Sequence, residues 1–229
     1  MQRQTPISSG LQMAALAHDL RTPMCVAAGA AQMALEAGGG DVSAQLHQIL
    51  QAVGAMDRML SMMSEAQESV PVFTGEMLRK ELLALTVDRA REKGQKLSID
   101  LSALDGLALE ADYAALCRLL TNLLGNAIKY THLGGEITLR AQTESVRRRS
   151  GRARVRFIVA DNGAGMTRAF MRRMYLPFAR AQQTAEIEGH GLGLSIVWEM
   201  AQRLGGRIHV RSIWGQGTTF IVSVPVGIR

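Results

Sequence analysis

The chain has 229 residues, of which 47% are apolar and 20% charged, so it is long enough for one or two globular domains with a real core. Only 4% of the residues are aromatic, too few for a platform on which single-stranded nucleic acid stacks. Much of the net charge of +6 lies in a cluster of arginines, which is typical either of nucleic-acid binding or of a solvated basic loop between two strands. We favour the loop and expect no nucleic-acid partner; the cluster comprises Arg147, Arg148, Arg149, Arg152, Arg154 and Arg156.

The cysteines and the hydropathy of the chain indicate the cellular compartment to expect. Cys25 and Cys117 are far apart and lack CxxC spacing, so neither a zinc site nor a disulfide framework is expected. No apolar run reaches the roughly 18 residues that a membrane-spanning helix needs, and the first residues have no apolar signal core. We expect a cytoplasmic location, either as a free protein or as the cytosolic part of a larger or membrane-anchored sensor.

The first part of the chain predicts a helical hairpin. A helix over 11–37 ends at three consecutive glycines, and Asp41 or Ser43 caps a second helix that runs to about residue 69. Apolar residues at alternating spacings of three and four form a seam along the second helix. Two helices cannot enclose a core alone, so we expect a homodimer in which two hairpins form a four-helix bundle. This seam consists of Leu46, Ile49, Val53, Met56, Leu60 and Met63. The first helix has a similar seam of Met13, Leu16, Leu20, Met24, Ala27, Ala31 and Ala34.

After residue 70 the pattern changes to mixed helices and strands, which predicts an α/β sandwich and an α+β multidomain chain with domains at 8–70 and 71–229. Neither a P-loop nor a strand-preceded GxGxxG is present. The predicted helices span 76–93, 113–130 and 192–204. The predicted strands span 97–101, 107–110, 136–141, 155–160, 207–213 and 219–224.

The first candidate site is the string HDLRTP, residues 18–23. His18 lies on the polar face of its helix, where histidines are commonly just solvated. Asp19 can hold one imidazole proton and leave the other nitrogen nucleophilic, and Thr22, one turn further on, can orient a water. From the residues alone, both interpretations remain open.

Three further segments suit a nucleotide. Asn122, Asn126 and Lys129 share one face of an apolar helix, as either an exposed polar stripe or a site for magnesium and phosphate. Asp161 ends an apolar strand and begins DNGAG, which is either a plain turn or an acceptor for an adenine amino group. The glycines of GHGLGL, residues 189–194, open a helix whose amide groups attract phosphate.

Together these strings resemble the H-, N-, G1- and G2-boxes of the sensor histidine kinases of two-component systems, in the family's order. Leu176–Arg180 resembles the F-box, and residues 167–188 would form the ATP lid. The resemblance implies a HisKA hairpin followed by a Bergerat-type ATP-binding domain. It implies His18 as phospho-acceptor, Asp19 as its acid/base partner and Thr22 as the residue that positions water. It assigns Mg²⁺ to Asn126, adenine to Asp161, and the remaining nucleotide contacts to Asn122, Lys129, Tyr130, Gly163, Gly165, Arg180, Gly189, Gly191, Leu192 and Gly193.

The function implied by the resemblance is ATP-dependent autophosphorylation of His18, followed by transfer to an aspartate of a separate response-regulator receiver domain. Thr22 also implies phosphatase activity toward that regulator. Two alternatives are a protein that acts mainly as the phosphatase and a non-enzymatic ATP-sensing scaffold; the intact H-box argues against the scaffold.

Overall fold

The computed structural model describes residues 24–25, 27–36, 45, 49, 52–54, 56, 71–147, 151–177, 179, 181 and 191–229. The chain divides into two compact units, Met1–Ser69 and Val70–Arg229. Every described residue of the first unit is helical. Ala30 and Ala52 are buried there, whereas Met24 and Val53, both in the predicted seams, are about half exposed. No helix in the described ranges is long and apolar enough to cross a membrane.

The second unit is built on one mixed sheet. Its strand order is β1-β3-β7-β5-β4-β2, with β6 paired to β7. β2 and β4 are parallel, and the other pairs are antiparallel. The strands are β1 Val72–Phe73, β2 Lys96–Asp100, β3 Leu109–Glu110, β4 Glu136–Arg147, β5 Arg152–Asp161, β6 Arg207–Ile213 and β7 Gly217–Ile228.

In the described part of this unit, four helices accompany the sheet: α1 Gly75–Glu92, α2 Tyr113–Tyr130, α3 Arg168–Met171 and α4 Gly193–Arg203, with a 3₁₀ turn at Ser102–Leu104. The Thr74 hydroxyl accepts the amide of Met77, and Asp112 accepts that of Ala115 at 2.9 Å. These N-caps satisfy amide groups that the helix itself leaves unpaired.

One face of the sheet is covered by helices and the other is open. On β5, Val155, Phe157 and Val159 are almost fully buried, whereas Arg154 and Arg156, at the alternate positions, are only partly buried. The buried strand residues form one core with the leucines of α2. Because side chains alternate along a strand, β5 presents its arginines on the face opposite the core. The α2 core leucines are Leu116, Leu119, Leu120, Leu123 and Leu124.

The predicted fold class is confirmed: helices in the first unit and a helix-covered mixed sheet in the second. The prediction of a basic loop was wrong, because Arg152, Arg154 and Arg156 lie in β5 and β4 extends to Arg147. Arg148 and Arg149 lie outside the described residues. Three short elements were not predicted: β1, α3 and the 3₁₀ turn.

We expect Leu120→Ala to destabilise the second unit by about 2–5 kcal/mol, because its fully buried side chain leaves a cavity in the core. Leu133→Ala is the matched control: Leu133 is 76% exposed, and its truncation should change stability by less than about 0.5 kcal/mol. Urea unfolding can be followed by intrinsic fluorescence, since both tryptophans, Trp198 and Trp214, lie in this unit. Equal losses in the two variants would contradict the assigned core.

Candidate active site

A cavity of about 280 Å³ opens between α2, the end of β5 and the start of α4. Its floor is apolar, with Leu123, Val159 and Phe220, and polar groups stand around it. This is the usual composition of a small-molecule site, in which a few polar groups fix the ligand's orientation. The structure brings together these predicted residues in the lining: Asn122, Asn126, Lys129, Tyr130, Asp161, Gly165, Gly191, Leu192 and Gly193.

Asp161 is the half-buried acceptor of the cavity. Its Oδ1 accepts the backbone amides of Gly163 at 2.9 Å and Thr218 at 3.2 Å. Burial raises the pKa of the carboxyl above its ordinary value, and the two amide hydrogen bonds oppose that shift. Oδ2 has no hydrogen bond to another described residue and can accept one from a ligand.

Glycines allow the backbone to close around this carboxylate. Gly165 and Gly217 have φ of +68° and +111°. A Cβ at Gly165 would lie 2.0 Å from the Ile213 carbonyl oxygen, and one at Gly217 would lie 2.1 Å from that of Asp161. A Cβ at Gly163 would lie 2.5 Å from the Tyr130 carbonyl oxygen. Only glycine fits these approaches, so Gly163 acts through its backbone rather than by lining the cavity.

A hydroxyl network connects the loop after β5 to the turn before β7. Ser212 Oγ accepts the Met166 amide at 2.8 Å, donates to the Gly217 carbonyl at 3.0 Å and lies 2.9 Å from Thr218 Oγ1. Thr218 lines the cavity and is 8% exposed. Of the two adjacent threonines at the start of β7, Thr218 lines the cavity and Thr219 does not.

The amides of α2 face the start of α4. A Cβ at Gly193 would lie 3.2 Å from Asn126 Oδ1 and 3.5 Å from Asn122 Oδ1, so glycine keeps this cleft open. Asn122 Nδ2 donates to the Arg118 carbonyl at 2.8 Å, which leaves its oxygen available. The buried Asn126 Nδ2 has no partner among the described residues. A buried amide without a hydrogen bond is costly, which indicates a group that a ligand completes.

The C-terminal end of α2 is held by two side chains that the sequence analysis missed. Lys93 Nζ donates to the carbonyls of Ile128 and Lys129, both at 2.9 Å. Gln95 Nε2 donates to Ile128 and Thr131 at 3.1 and 2.8 Å. Otherwise unpaired carbonyls at a helix end are thereby satisfied. The Lys129 ammonium lies 4.8 Å from the ring centroid of Tyr130, and both residues line the cavity.

The start of α4 contributes backbone donors. Its N-cap, Leu192, makes no side-chain capping bond, and Gly191 before it has a φ of +71°. Among the described residues nothing caps the first amides of α4, and an anion is attracted there by both these donors and the helix dipole.

Five predicted site residues, His18, Asp19, Thr22, Arg180 and Gly189, lie outside the described residues. Of the predicted lid, residues 167–177, 179 and 181 are described. Phe170, Met174 and Ala181 form a small apolar cluster against Leu194 of α4 and Val210 of β6. This cluster fixes the described part of the lid beside the cavity.

Residues 111–228 match the family of histidine kinase-, DNA gyrase B-, and HSP90-like ATPases. Residues 8–68 match the His Kinase A (phospho-acceptor) domain. The first match covers more than half of the chain, so the chain belongs to this ATPase family. The two domains in this order make it a member of the sensor histidine kinases.

Individual relatives agree with this assignment. Sensor histidine kinase AruS of Pseudomonas aeruginosa is 32% identical over 94% of this chain, and the adaptive-response sensory kinase SasA of Crocosphaera subtropica is 33% identical over 93%. The chain spans 22% of AruS and 58% of SasA. Full-length ShkA in complex with AMPPNP matches with a TM-score of 0.59 and 28% identity over 95% of this chain and 46% of ShkA. The catalytic domain of ThkA matches at 0.56 and 25% over 68% of this chain and 96% of that domain.

We expect Asp161→Asn to stabilise the ligand-free protein at neutral pH. Burial disfavours the charged carboxylate, and an asparagine oxygen can still accept the two amides. Because the folded-state pKa is raised, the wild-type penalty appears as pH rises above the ordinary value of 3.8 and is absent below it. The gain in thermal midpoint should therefore shrink as pH falls toward 3.8.

Thermal unfolding across this pH range measures the effect, and Asp105→Asn, at an exposed carboxylate, provides the control. A variant less stable than wild type at neutral pH would show that the charge is favourably placed in the empty site.

Proposed function

We propose that this chain is an ATP-dependent protein histidine kinase that phosphorylates His18 and passes the phosphoryl group to an aspartate of a separate response regulator. The observation that carries the proposal is the cavity itself. One carboxylate, two amides, a lysine and an open helix start converge there, in a chain that also carries HDLRTP. The relative ShkA was crystallised in complex with AMPPNP.

Asp161 is assigned to adenine. Its free Oδ2 is a charged acceptor in a cavity with an apolar floor, which suits an exocyclic amino group beside a flat ring. Gly163 and Thr218 hold Oδ1 in place, so the direction of the free oxygen is fixed. Gly165 allows the backbone to approach the base.

The phosphates are assigned to the opposite wall. Lys129 supplies an ammonium, and Gly191, Leu192 and Gly193 supply the free amides at the start of α4. The Lys129 ammonium lies over the ring of Tyr130, which helps to position it. Arg180 and Gly189 belong to this set by resemblance to the F- and G2-boxes.

The α2 amides fit a hard cation. Mg²⁺ takes few protein oxygens and completes its shell with substrate phosphates and water, so the available oxygens of Asn126 and Asn122 suffice. We assign Asn126 as the protein ligand, with Asn122 beside it. When bound, the ion would neutralise charge on the phosphates.

The proposed transfer follows from these assignments. An imidazole nitrogen of His18 forms a bond to the γ-phosphorus of ATP while the bond from that phosphorus to the β–γ bridging oxygen breaks and ADP leaves. Asp19 accepts the imidazole proton. In the second step an aspartate oxygen of the receiver domain bonds to the phosphorus while the bond from the phosphorus to the His18 nitrogen breaks. Asp19 then returns the proton, and His18 is again a neutral imidazole.

A homodimer through the helical hairpin is part of this proposal. Met24 and Val53 lie in the predicted seams and remain exposed in the single chain, which favours a second hairpin as their cover. We also propose that Thr22 orients a water that hydrolyses the phosphorylated regulator. A protein acting only as that phosphatase, or only as an ATP-sensing scaffold, would leave His18 unlabelled.

We expect His18→Gln to abolish labelling by γ-labelled ATP while leaving ADP affinity within about twofold of wild type, because the acceptor and the nucleotide residues lie in different compact units. Asn126→Ala is the complementary variant and should lose nucleotide affinity without losing the acceptor. Calorimetric titration and acid-labile label retention measure the two properties. Undiminished labelling of the His18→Gln protein would refute the assignment.

We expect Asp19→Asn and Thr22→Ala to separate the two activities. Asp19→Asn removes the proton acceptor and should slow labelling of His18 by roughly 10²–10⁴. Thr22→Ala should leave labelling nearly intact and prolong the lifetime of a phosphorylated receiver, since the attacking water loses its orienting group.

The paired assay measures initial labelling rate and receiver decay for each variant. If Thr22→Ala slowed labelling as strongly as Asp19→Asn, the proposed division of roles would be wrong.

A further inference from the structure

The open face of the sheet carries a basic trough, separate from the cavity and on the opposite side of the core. Its floor is β7, where Ile221 and Ser223 are partly buried. One wall is Arg154 and Arg156 of β5, and the other is Arg207, His209 and Arg211 of β6. The trough is open to solvent, and its volume is about 610 Å³. We name these seven residues the basic trough.

The strand register explains this arrangement. Ser223 is paired with Arg156 on one side and Arg207 on the other, and Ile221 is paired with His209. Paired residues of antiparallel strands project from the same face of a sheet. Because neighbouring strands lie about 4.8 Å apart, the walls stand roughly 10 Å from each other, which is the width of one extended polypeptide.

A carboxylate of the chain already lies at the edge of the trough. Glu144 of β4 forms an ion pair with Arg156 and accepts the Ser223 hydroxyl at 2.9 Å. Although burial raises the pKa of Glu144, the hydrogen bonds from Ser223 and Arg156 outweigh it and the pKa is lowered. The walls and floor can therefore hold a carboxylate in its charged form.

The remaining positive charge is unbalanced. Four arginines line the trough against the single Glu144 carboxylate. Within the described ranges, no carboxylate forms an ion pair with Arg207 or Arg211. Like charges this close repel one another unless an anion lies between them, so an anionic occupant is favoured.

We infer that the basic trough binds an acidic polypeptide segment of a partner protein in an extended conformation, with carboxylates directed toward both walls. A linear anion fits because the basic residues of β6 recur at every second position, about 6.6 Å apart, which is the side-chain repeat of an extended chain on one face. Single-stranded nucleic acid fits less well, since none of the described lining residues is Phe, Tyr or Trp and bases find no aromatic ring on which to stack. An anionic bilayer is disfavoured because the charges line a concavity instead of a projecting surface.

The test uses the full chain and a fluorescein-labelled decapeptide of alternating glutamate and threonine, followed by fluorescence anisotropy. We expect saturable binding that Arg211→Glu weakens by at least about tenfold. Arg91→Glu, the same charge change at an exposed position of α1, should weaken binding less than about twofold. Glu144→Gln removes the competing internal carboxylate and should tighten binding.

The glutamine–threonine decapeptide should not bind, and ADP affinity should be unchanged in all three variants, since none of the substituted residues lines the cavity. Equal weakening by Arg211→Glu and Arg91→Glu would show that binding depends only on the net charge of the protein, and it would contradict a specific site in the basic trough. Failure of the glutamate peptide while oligothymidylate, or vesicles containing phosphatidylserine, bound in an Arg211-dependent manner would overturn the polypeptide assignment.

Discussion

Asp161 lies half-buried at the end of β5, and much of the surrounding structure holds its carboxyl group in place. Burial alone raises its pKa, and two backbone amides restrain the shift. Those amides reach it only because the chain turns at Gly163 and because Gly217 leaves room for the Asp161 carbonyl. Ser212 then connects the loop after β5 to the turn before β7. The cavity is therefore a preorganised acceptor set in an apolar floor, at some cost to the stability of the empty protein.

The opposite wall is fixed at both ends of α2. At its start, Asp112 caps the helix and also accepts Arg203 Nε at 2.6 Å, which connects it to the end of α4. At its end, Lys93 and Gln95 hold the last carbonyls. The polar stripe of Asn122, Asn126 and Lys129 is thus carried on a helix that neither slides nor frays easily. Because these amides and the ammonium are already held in place, less conformational entropy is lost when a ligand binds.

How far the sequence predicts this structure depends on the range of each interaction. The bounds of α2 follow from a local cap and a continuous apolar pattern, and the predicted span of 113–130 agrees with the structure. The polar stripe on α2 and the glycines after β5 are local patterns as well, and the structure brings them together in one cavity. The basic loop was wrongly predicted because arginines alternate with Ala153, Val155 and Phe157. Their charge obscured the first residues of a strand that is buried on one face only, whereas residues 155–160 were predicted as a strand.

Contacts between residues far apart in the chain could not be predicted from local sequence patterns. Gln95 meets Thr131 across 36 residues and Met166 meets Ser212 across 46, and no local pattern connects either pair. Thr218 and Thr219 are adjacent residues of the same type, so the sequence does not distinguish them. The pleat of β7 directs Thr218 into the cavity. For His18 the reverse holds: the string HDLRTP is distinctive because it is a local pattern, and it lies outside the described residues.

The central claim is that Asp161 reads adenine within a nucleotide site. The most direct measurement is calorimetric titration of the wild-type chain with ADP and with GDP in the presence of magnesium. The free carboxylate oxygen can accept the adenine amino group, whereas guanine presents a carbonyl oxygen at the equivalent position and would face it with another acceptor. A charged hydrogen bond of about 1.5–3 kcal/mol predicts that ADP binds at least roughly tenfold more tightly than GDP. Equal affinity for the two nucleotides, or no affinity for either, would contradict the account.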